Sequence, residues 1–300
     1  MASWQFKLIK LFFRVRRVIN PPAGKLDVAR ERADTESMAA NFPTRIEFTC
    51  TPLEVNQVPA EWIMPSAASA DRVILYFHGG SYNSGSLESH RSHVANIAHA
   101  AKARLLNIDY RLAPEHPFPA AVEDATASYR WLLENQVEPH SIIVAGDSAG
   151  GGLTLVLLVK LRDAQLPLPA AAVCLSPWTD LTCSGASWKA NVRKDLMLDS
   201  RSILESAQLY VGKADPRTPL ASPLYADFTG LPPILIQVGS HELILSDSTG
   251  VAERAKVAGV EMTLEVWEEM QHEWQFAANM LPEARQALQH IGQFVESHLG

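Results

Sequence analysis

The sequence predicts an α/β fold, with a mostly parallel sheet and helices on both of its faces. Short, continuous apolar runs at residues 73–77 and 142–144 are typical of strands that are buried on both faces. These runs alternate with longer segments of helical periodicity, which indicates parallel β-α-β units. After residues 142–144, the segment Gly146-Asp147-Ser148-Ala149-Gly150 has the Gly-x-Ser-x-Gly spacing of a nucleophile elbow, a sharp strand-to-helix turn that exposes a serine.

Eight strands are predicted along the chain, and the serine turn follows the fifth. They are residues 45–50, 55–64, 73–77, 104–108, 142–144, 171–175, 234–238 and 262–267. Helices are predicted at 89–101, 120–134 and 282–298, a turn of small residues at 67–71, and a further helical run from Leu153. Residues 184–231 exceed the length of one crossover. We therefore expect a helical insertion there, over the sheet edge where open α/β folds bind ligands.

The N-terminal segment, residues 1–43, is predicted to form two helices separated by Pro21-Pro22-Ala23-Gly24. In residues 6–19, basic side chains are interleaved with apolar ones, as in an amphipathic basic helix. Such a helix either lies on an acidic membrane surface or packs over the protein's own site as part of a lid, and we favour the lid. A secretory signal is not expected, because the segment lacks a long apolar core and a small-residue cleavage site.

Composition and charge exclude several classes of function. An apolar fraction of 47% is ordinary for a globular protein and too high for a disordered one, and the formal net charge of −7 argues against a nucleic-acid partner. The three cysteines, Cys50, Cys174 and Cys183, have no metal-ligand spacing, which favours free thiols in a reducing, cytoplasmic compartment. No apolar run is long enough to cross a bilayer.

Ser148 is the candidate nucleophile, and its partners follow from chain order. A serine hydroxyl needs a base, usually a histidine that a carboxylate orients. On a sheet of this type the order is serine, acid, histidine, which selects His272 in the loop after the eighth strand as the base. Glu242, in the turn after the seventh strand, is the preferred acid. Asp247 is the alternative acid, although its place near the start of a helix also fits a helix-dipole role. Without such partners, Ser148 would be explained as a helix cap.

The segment His78-Gly79-Gly80, which follows the third strand, is the candidate oxyanion hole. Acyl transfer passes through an oxyanion, and preorganised backbone N–H groups stabilise it. We expect the donors to be the amides of Gly79 and Gly80, together with the amide of Ala149 after the nucleophile. Asp147 is interpreted as a structural hydrogen-bonding residue.

Three motifs together resemble the hormone-sensitive-lipase-like esterases, the bacterial family IV carboxylesterases. They are His78-Gly79-Gly80, the run Asp-Tyr-Arg-Leu-Ala-Pro-Glu-His-Pro-Phe-Pro-Ala-Ala at residues 109–121, and Gly-Asp-Ser-Ala-Gly-Gly at residues 146–151. The resemblance covers roughly residues 45–300. It departs at Ser81, where the family often has a third glycine or an alanine, and at Glu242, where many members have an aspartate.

This resemblance implies an α/β-hydrolase fold whose catalytic domain is residues 44–183 and 232–300, covered by a helical cap from residues 1–43 and 184–231. It implies hydrolysis of short-acyl carboxylic esters as small-molecule substrates, without a metal or cofactor. It is also consistent with a homodimer through the edge of the eighth strand. A lipase, or a deacetylase or amidase, would use the same triad. A ligand-binding homologue that has lost catalysis is the alternative from a different class.

Overall fold

A computed structural model describes residues 2–19 and 25–299 of the chain. Within that part, the centre is an eight-stranded sheet in the order β1-β2-β4-β3-β5-β6-β7-β8. The strands are β1 (Phe48–Val55), β2 (Val58–Pro65), β3 (Ser69–Phe77), β4 (Ala103–Ile108), β5 (Ile142–Asp147), β6 (Ala171–Leu175), β7 (Ile234–Gly239) and β8 (Met262–Trp267). β2 pairs antiparallel with β1 and with β4, and all other neighbours are parallel. The predicted fold class and number of strands are confirmed.

Helices cover both faces of this sheet. They are α1 (Trp4–Ile19), α2 (Val28–Ala39), α3 (Leu87–Ala101), α4 (Ala120–Glu134), α5 (Ser148–Asp163), α6 (Ser187–Ala190), α7 (Ser200–Val211), α8 (Leu245–Val257) and α9 (Pro282–Leu299). α3 and α9 pack on one face, while α4, α5 and α8 pack on the other. The central strands β5, β6 and β7 are buried along their whole length, which explains their continuous apolar sequence.

The turn between β5 and α5 is built by two glycines and one strained serine. Ser148 has a φ of 48°, in the left-handed region that side chains other than glycine rarely adopt. A Cβ on Gly150 would collide with the carbonyl oxygen of Phe77 at the end of β3, so only glycine lets α5 begin this close to the sheet. The helix starts at Ser148 itself, as the strand-to-helix turn predicts, and its apolar periodicity begins at Leu153.

The first two strands differ from their predicted bounds because a tight turn was missed. β1 and β2 form a hairpin in which Val55 is paired with Val58, and the two residues between them are Asn56 and Gln57, with φ of 49° and 71°. Two-residue turns of this kind are usually signalled by Asn-Gly. The small-residue turn expected at 67–71 is also partly wrong, since β3 begins at Ser69 with an irregular register before Val73.

The N-terminal helices and the insertion lie on the same side of the molecule as the serine turn. α1 and α2 line one cavity together with Ser148. In the insertion, Tyr210 of α7 stacks on Tyr82 at a centroid distance of 3.8 Å, and Glu205 accepts a hydrogen bond from Leu26 N, which precedes α2, at 2.6 Å. In the described ranges, no helix has the length and apolarity needed to cross a bilayer.

Candidate active site

A cavity of about 170 Å³ opens at the carboxyl ends of the central strands, beside the serine turn. Ser148, His272, Gly80 and Ser81 line it from the sheet side. Apolar side chains close it from above, among them Phe6, Ile9 and Phe13 of α1 and Met38 of α2. Ser148 is only 5% exposed, so a molecule that reaches its hydroxyl leaves bulk water.

His272 and Glu242, which are 30 residues apart in sequence, meet in a short hydrogen bond. His272 Nδ1 lies 2.7 Å from Glu242 Oε2. The other carboxylate oxygen, Oε1, accepts from Ser176 Oγ at 2.7 Å and from Gly239 N at 2.5 Å. These donors fix the buried carboxylate, which in turn fixes the imidazole so that Nδ1 is bonded to Glu242 and Nε2 lies on the opposite side of the ring.

The imidazole of His272 is held close to its charged form. Burial disfavours the imidazolium, but the negative charges of Glu273 and Glu242 outweigh it and raise the pKa of His272 well above its usual range. These two carboxylates would stabilise the positive charge that a histidine acquires when it acts as a general base.

Polar residues of the insertion support the turn that carries Glu242. Asn191 Nδ2 donates to the carbonyl oxygens of Ser240 and Glu242 at 3.0 and 2.9 Å. Asp195 accepts from Leu243 N at 2.7 Å, and Ser187 Oγ donates to the carbonyl oxygen of Leu243 at 2.5 Å. No motif signals these residues in the sequence, because each acts through contacts with residues far away in the chain.

Asp247, the alternative acid, performs a different task. It is 1% exposed, and its Oδ2 accepts from Thr179 N at 2.7 Å and from Asp180 N at 2.8 Å. Burial raises its pKa to about 7. The structure therefore brings Glu242, and not Asp247, into contact with His272, while Asp247 anchors the loop after β6.

Ser148 and His272 line the same cavity, and no hydrogen bond joins their side chains in the described part of the chain. Ser148 is the first residue of α5, whose N-terminal N–H groups favour a developing negative charge. The amide of Ala149 is in that first turn. Catalytic hydrogen bonds are often long in substrate-free enzymes and shorten in the complex.

In the loop after β3, one of the predicted oxyanion donors, the amide of Gly79, points away from the cavity. Gly79 N lies 3.2 Å from His90 Nε2, so this amide faces the interior and not the cavity. The amides of Gly80 and Ser81 have no hydrogen-bond acceptor among the described residues, and both residues line the cavity. The geometry thus favours Gly80, Ser81 and Ala149 as donors in place of Gly79, Gly80 and Ala149.

Other elements hold this loop in place. Tyr110 Oη donates to the carbonyl oxygen of His78 at 2.7 Å and stacks on its ring at 4.4 Å. From α2, Arg32 donates to the carbonyl oxygen of Asn83 at 2.8 Å and forms an ion pair with Glu115 at 2.7 Å. Tyr110 and Glu115 both belong to the 109–121 run, so the structure gives a physical reason for that motif. The 109–121 run braces the loop after β3, which is called the donor loop below.

Asp147, expected to be structural, is fully buried beside the nucleophile. It accepts a hydrogen bond from Tyr76 Oη at 2.5 Å and lies 3.2 Å from His90 Nε2. Sequence reasoning missed His90, which occupies a helix face without any motif.

The fold and this site together define a hydrolase with a serine at a strained elbow and a histidine–carboxylate pair beside it. A model of the α/β hydrolase fold family matches residues 74–276. The chain is 48% identical over 246 residues to an acetyl-hydrolase of Streptomyces hygroscopicus, with 82% of each chain covered. It is 34% identical over 257 residues to an esterase of Acinetobacter venetianus, with 85% of this chain and 84% of that one covered.

Solved structures agree with these relatives over the whole chain. An esterase of the bacterial hormone-sensitive lipase family superimposes with a TM-score of 0.95 at 45% identity, covering 100% of both chains. An esterase/lipase from an uncultured bacterium gives a TM-score of 0.95 at 41% identity, covering 99% of each. The chain belongs to the α/β-hydrolase fold family, in its hormone-sensitive-lipase-like branch of esterases.

Proposed function

We propose that this protein hydrolyses short-acyl carboxylic esters through an acyl-enzyme on Ser148. The observation that carries the proposal is the His272–Glu242 pair at 2.7 Å, beside a cavity that is also lined by the strained Ser148 and by Gly80 and Ser81, whose amides have no acceptor in the described part of the chain. The comparisons support ester hydrolysis as the reaction class.

In the proposed mechanism His272 Nε2 takes the proton from Ser148 Oγ as the Oγ–carbon bond to the ester forms. The amides of Gly80, Ser81 and Ala149 stabilise the oxyanion. Collapse breaks the carbon–oxygen bond to the alcohol, which leaves with the proton from His272. Water then loses a proton to His272 as it attacks the acyl-enzyme. The bond between the acyl carbon and Ser148 Oγ breaks, His272 returns the proton to Oγ, and the carboxylic acid leaves. Glu242 holds the tautomer with the proton on Nδ1 and stabilises the imidazolium.

We also propose the domain division 1–43 and 184–231 as cap, over 44–183 and 232–300 as catalytic domain. The cavity supports it, since α1 and α2 supply its apolar roof and the sheet supplies its polar floor. Part of the insertion has a further task, because Asn191 and Asp195 brace the turn of Glu242.

The size of the cavity predicts a short acyl chain. Its volume of about 170 Å³ is below the ~300 Å³ at which pockets for larger ligands begin. We expect kcat/KM to be highest for p-nitrophenyl acetate or butyrate. It should fall about tenfold or more by octanoate, because extra methylenes in a filled cavity cost about 1–3 kcal/mol. Phe13→Ala, which removes part of the roof, should move the optimum to a longer chain.

The same acyl series tests the proposed function as a whole. A maximum at palmitate would favour a lipase, and no turnover of any ester would contradict ester hydrolysis. Acetylated amines, tested in parallel, address the deacetylase and amidase alternatives. The name of the Streptomyces hygroscopicus relative, acetyl-hydrolase, supports acetyl as the first group to test.

The outer face of α1 supports contact with an anionic lipid surface. While Phe6 and Phe13 are buried, the helix exposes a set of large apolar side chains: Trp4, Leu8, Leu11, Phe12, Val15 and Ile19. The helix has no acidic residue, and Lys7 and Arg14 are exposed beside this apolar face. A basic helix with an exposed apolar face is suited to the headgroup region of an anionic bilayer.

We expect the protein to co-sediment with phosphatidylglycerol vesicles more than with phosphatidylcholine vesicles. The triple substitution Leu8→Gln, Leu11→Gln and Phe12→Gln should abolish this binding, since it removes the exposed apolar area. Val257→Gln, at the 90% exposed end of α8, is the matched control and should bind as the wild type does. Equal sedimentation of the triple variant would refute the contact.

We also propose that two copies of the protein pair through β8 to form a homodimer. β8 is one of the two edges of the sheet, and its neighbour within the described residues is β7 alone. An unpaired edge strand is a surface on which a second copy can pair.

A further inference from the structure

A buried carboxyl group and a partly buried one meet directly behind the candidate catalytic residues. Asp147 precedes Ser148, Glu273 follows His272, and their side chains are hydrogen-bonded to each other. Gly79 makes room for this pair, since a Cβ there would collide with Asp147 Oδ2 and lie 2.8 Å from Glu273 Oε1. The absence of a side chain at Gly79 thus serves the carboxyl pair, while its amide faces the ring of His90.

Glu273 also reaches the reactive nitrogen of the candidate base. Its Oε1 lies 3.4 Å from His272 Nε2, the atom that the proposed mechanism requires to take the proton of Ser148. Glu273 lines the cavity, and its side chain is 21% exposed. His272 is therefore flanked by a carboxyl group at each ring nitrogen: Glu242 at Nδ1 and Glu273 at Nε2.

Two carboxylates in contact repel each other, and the environment decides which one keeps a proton. Burial disfavours the Asp147 carboxylate, but the positive charge of His90 outweighs it and lowers the pKa of Asp147. Burial and the charge of Asp147 raise the pKa of Glu273 to about 7. The pair thus holds one proton on Glu273 in acidic solution and releases it near neutrality.

Other titratable groups from several elements surround the Asp147–Glu273 pair. Those that act on Asp147, Glu273 or His272, or line the same cavity, are Tyr76 on β3, His78 after β3, His90 and His93 on α3, Tyr110 after β4, Asp195 in the insertion, Lys10 on α1, and Glu31 on α2. Burial lowers the pKa of His78 and of His93 to about 3, so both are neutral in the working range.

We propose that Glu273 is a positioning residue that sets the protonation state of His272, and that Asp147 controls Glu273 by holding its proton. The proposal rests on the proposed function, in which His272 is the general base. An ionised Glu273 at 3.4 Å from Nε2 stabilises the imidazolium. A protonated Glu273 is neutral, donates to Asp147 and leaves Nε2 available to Ser148.

The position of Glu273 beside Nε2 determines in which direction its substitution moves the pH profile of kcat/KM. A general base works only when it is deprotonated, so the acidic limb of kcat/KM reports the pKa of His272 in the free enzyme. The charge of Glu273 raises that pKa. Glu273→Gln keeps the shape and the hydrogen bond to Asp147 but cannot become charged, so the acidic limb should move to lower pH. A charge at this distance shifts a pKa by about one unit or more.

The test compares the pH profiles of kcat/KM for the wild type, Glu273→Gln and Glu268→Gln. Glu268 is an exposed carboxylate of the same loop, so its substitution removes an equal charge far from Nε2 and should leave the profile unchanged. An acidic limb that coincides in all three proteins would overturn the proposal, as would an equal shift in both variants. Glu273→Ala, which also removes the charge, should shift the limb in the same direction as Glu273→Gln.

A second measurement does not depend on turnover. In protein labelled with ¹⁵N-histidine, the ring resonances of His272, assigned by their loss in His272→Asn, report its titration directly. We expect the titration midpoint of His272 to be about one unit lower in Glu273→Gln than in the wild type. An unchanged midpoint would refute the role of Glu273. If the midpoint shifts but no ester is hydrolysed, the coupling stands and the proposed function fails.

Discussion

Ser148→Ala should lower kcat for p-nitrophenyl acetate by about a million-fold, because a catalytic triad loses nearly all of its effect when the nucleophile is removed. The rate that remains would come from binding and from the amides of Gly80, Ser81 and Ala149. The fold should persist, since the Ser148 hydroxyl donates no hydrogen bond within the described part of the chain and alanine keeps the same Cβ at its φ of 48°. Steady-state kinetics with thermal unfolding as a folding check measures both.

Covalent labelling gives the same test without a substrate. A fluorophosphonate should label the wild type and not Ser148→Ala, while Ser297→Ala, an exposed serine in the last turn of α9, should be labelled and turn over normally. Ordinary turnover by Ser148→Ala would remove this residue from the mechanism. Failure of the wild type to react would favour a ligand-binding homologue over an enzyme.

Glu242→Gln should lower kcat by about ten-thousand-fold, the loss expected when the base is held in the wrong tautomer. The amide oxygen of glutamine can still accept from Ser176 Oγ and Gly239 N, so the turn after β7 keeps its support. Its NH₂ group would then face His272 Nδ1, which must become an acceptor. The proton moves to Nε2, where it blocks removal of the Ser148 proton.

Asp247→Asn is the matched control, since it removes a buried carboxyl group five residues further along the chain. Its amide oxygen can still accept from Thr179 N and Asp180 N, so kcat should stay within the wild-type order of magnitude. Measuring kcat and the urea midpoint of both variants separates chemistry from stability. The opposite ranking, with Asp247→Asn the more damaging, would make Asp247 the acid.

Much of the architecture could be predicted because it depends on local patterns. α4, β6 and β8 have the bounds that periodicity and apolar runs indicate, and α9 differs by one residue. The order of Ser148, Glu242 and His272 follows from the strands that precede them. The parallel strands of such a sheet bring their carboxyl ends to one edge. The hairpin at Asn56-Gln57 was missed, because its positive φ values depend on the pairing of Val55 with Val58 and not on a turn motif.

The details of the site depend on contacts between distant segments. Whether the amide of Gly79 faces the cavity was decided by His90 on α3, and no spacing in the sequence relates the two. The support of Glu242 by Asn191 and Asp195 likewise depends on how the insertion folds back over the turn after β7. Single polar contacts of this kind carry no periodicity, so they cannot be found by pattern.

The nucleophile elbow combines a backbone conformation that local sequence predicts with surroundings that depend on distant segments. The junction of a buried strand with a helix at Gly146-Asp147-Ser148-Ala149-Gly150 can be predicted from the chain, because β-branched runs and glycines restrict the local backbone. Its surroundings depend on the folded molecule: a roof from α1, a donor loop braced by Tyr110, and Glu273 between Asp147 and His272. Local conformation is encoded in neighbouring residues, whereas burial, charge and the sharing of a proton depend on which distant groups the fold brings together.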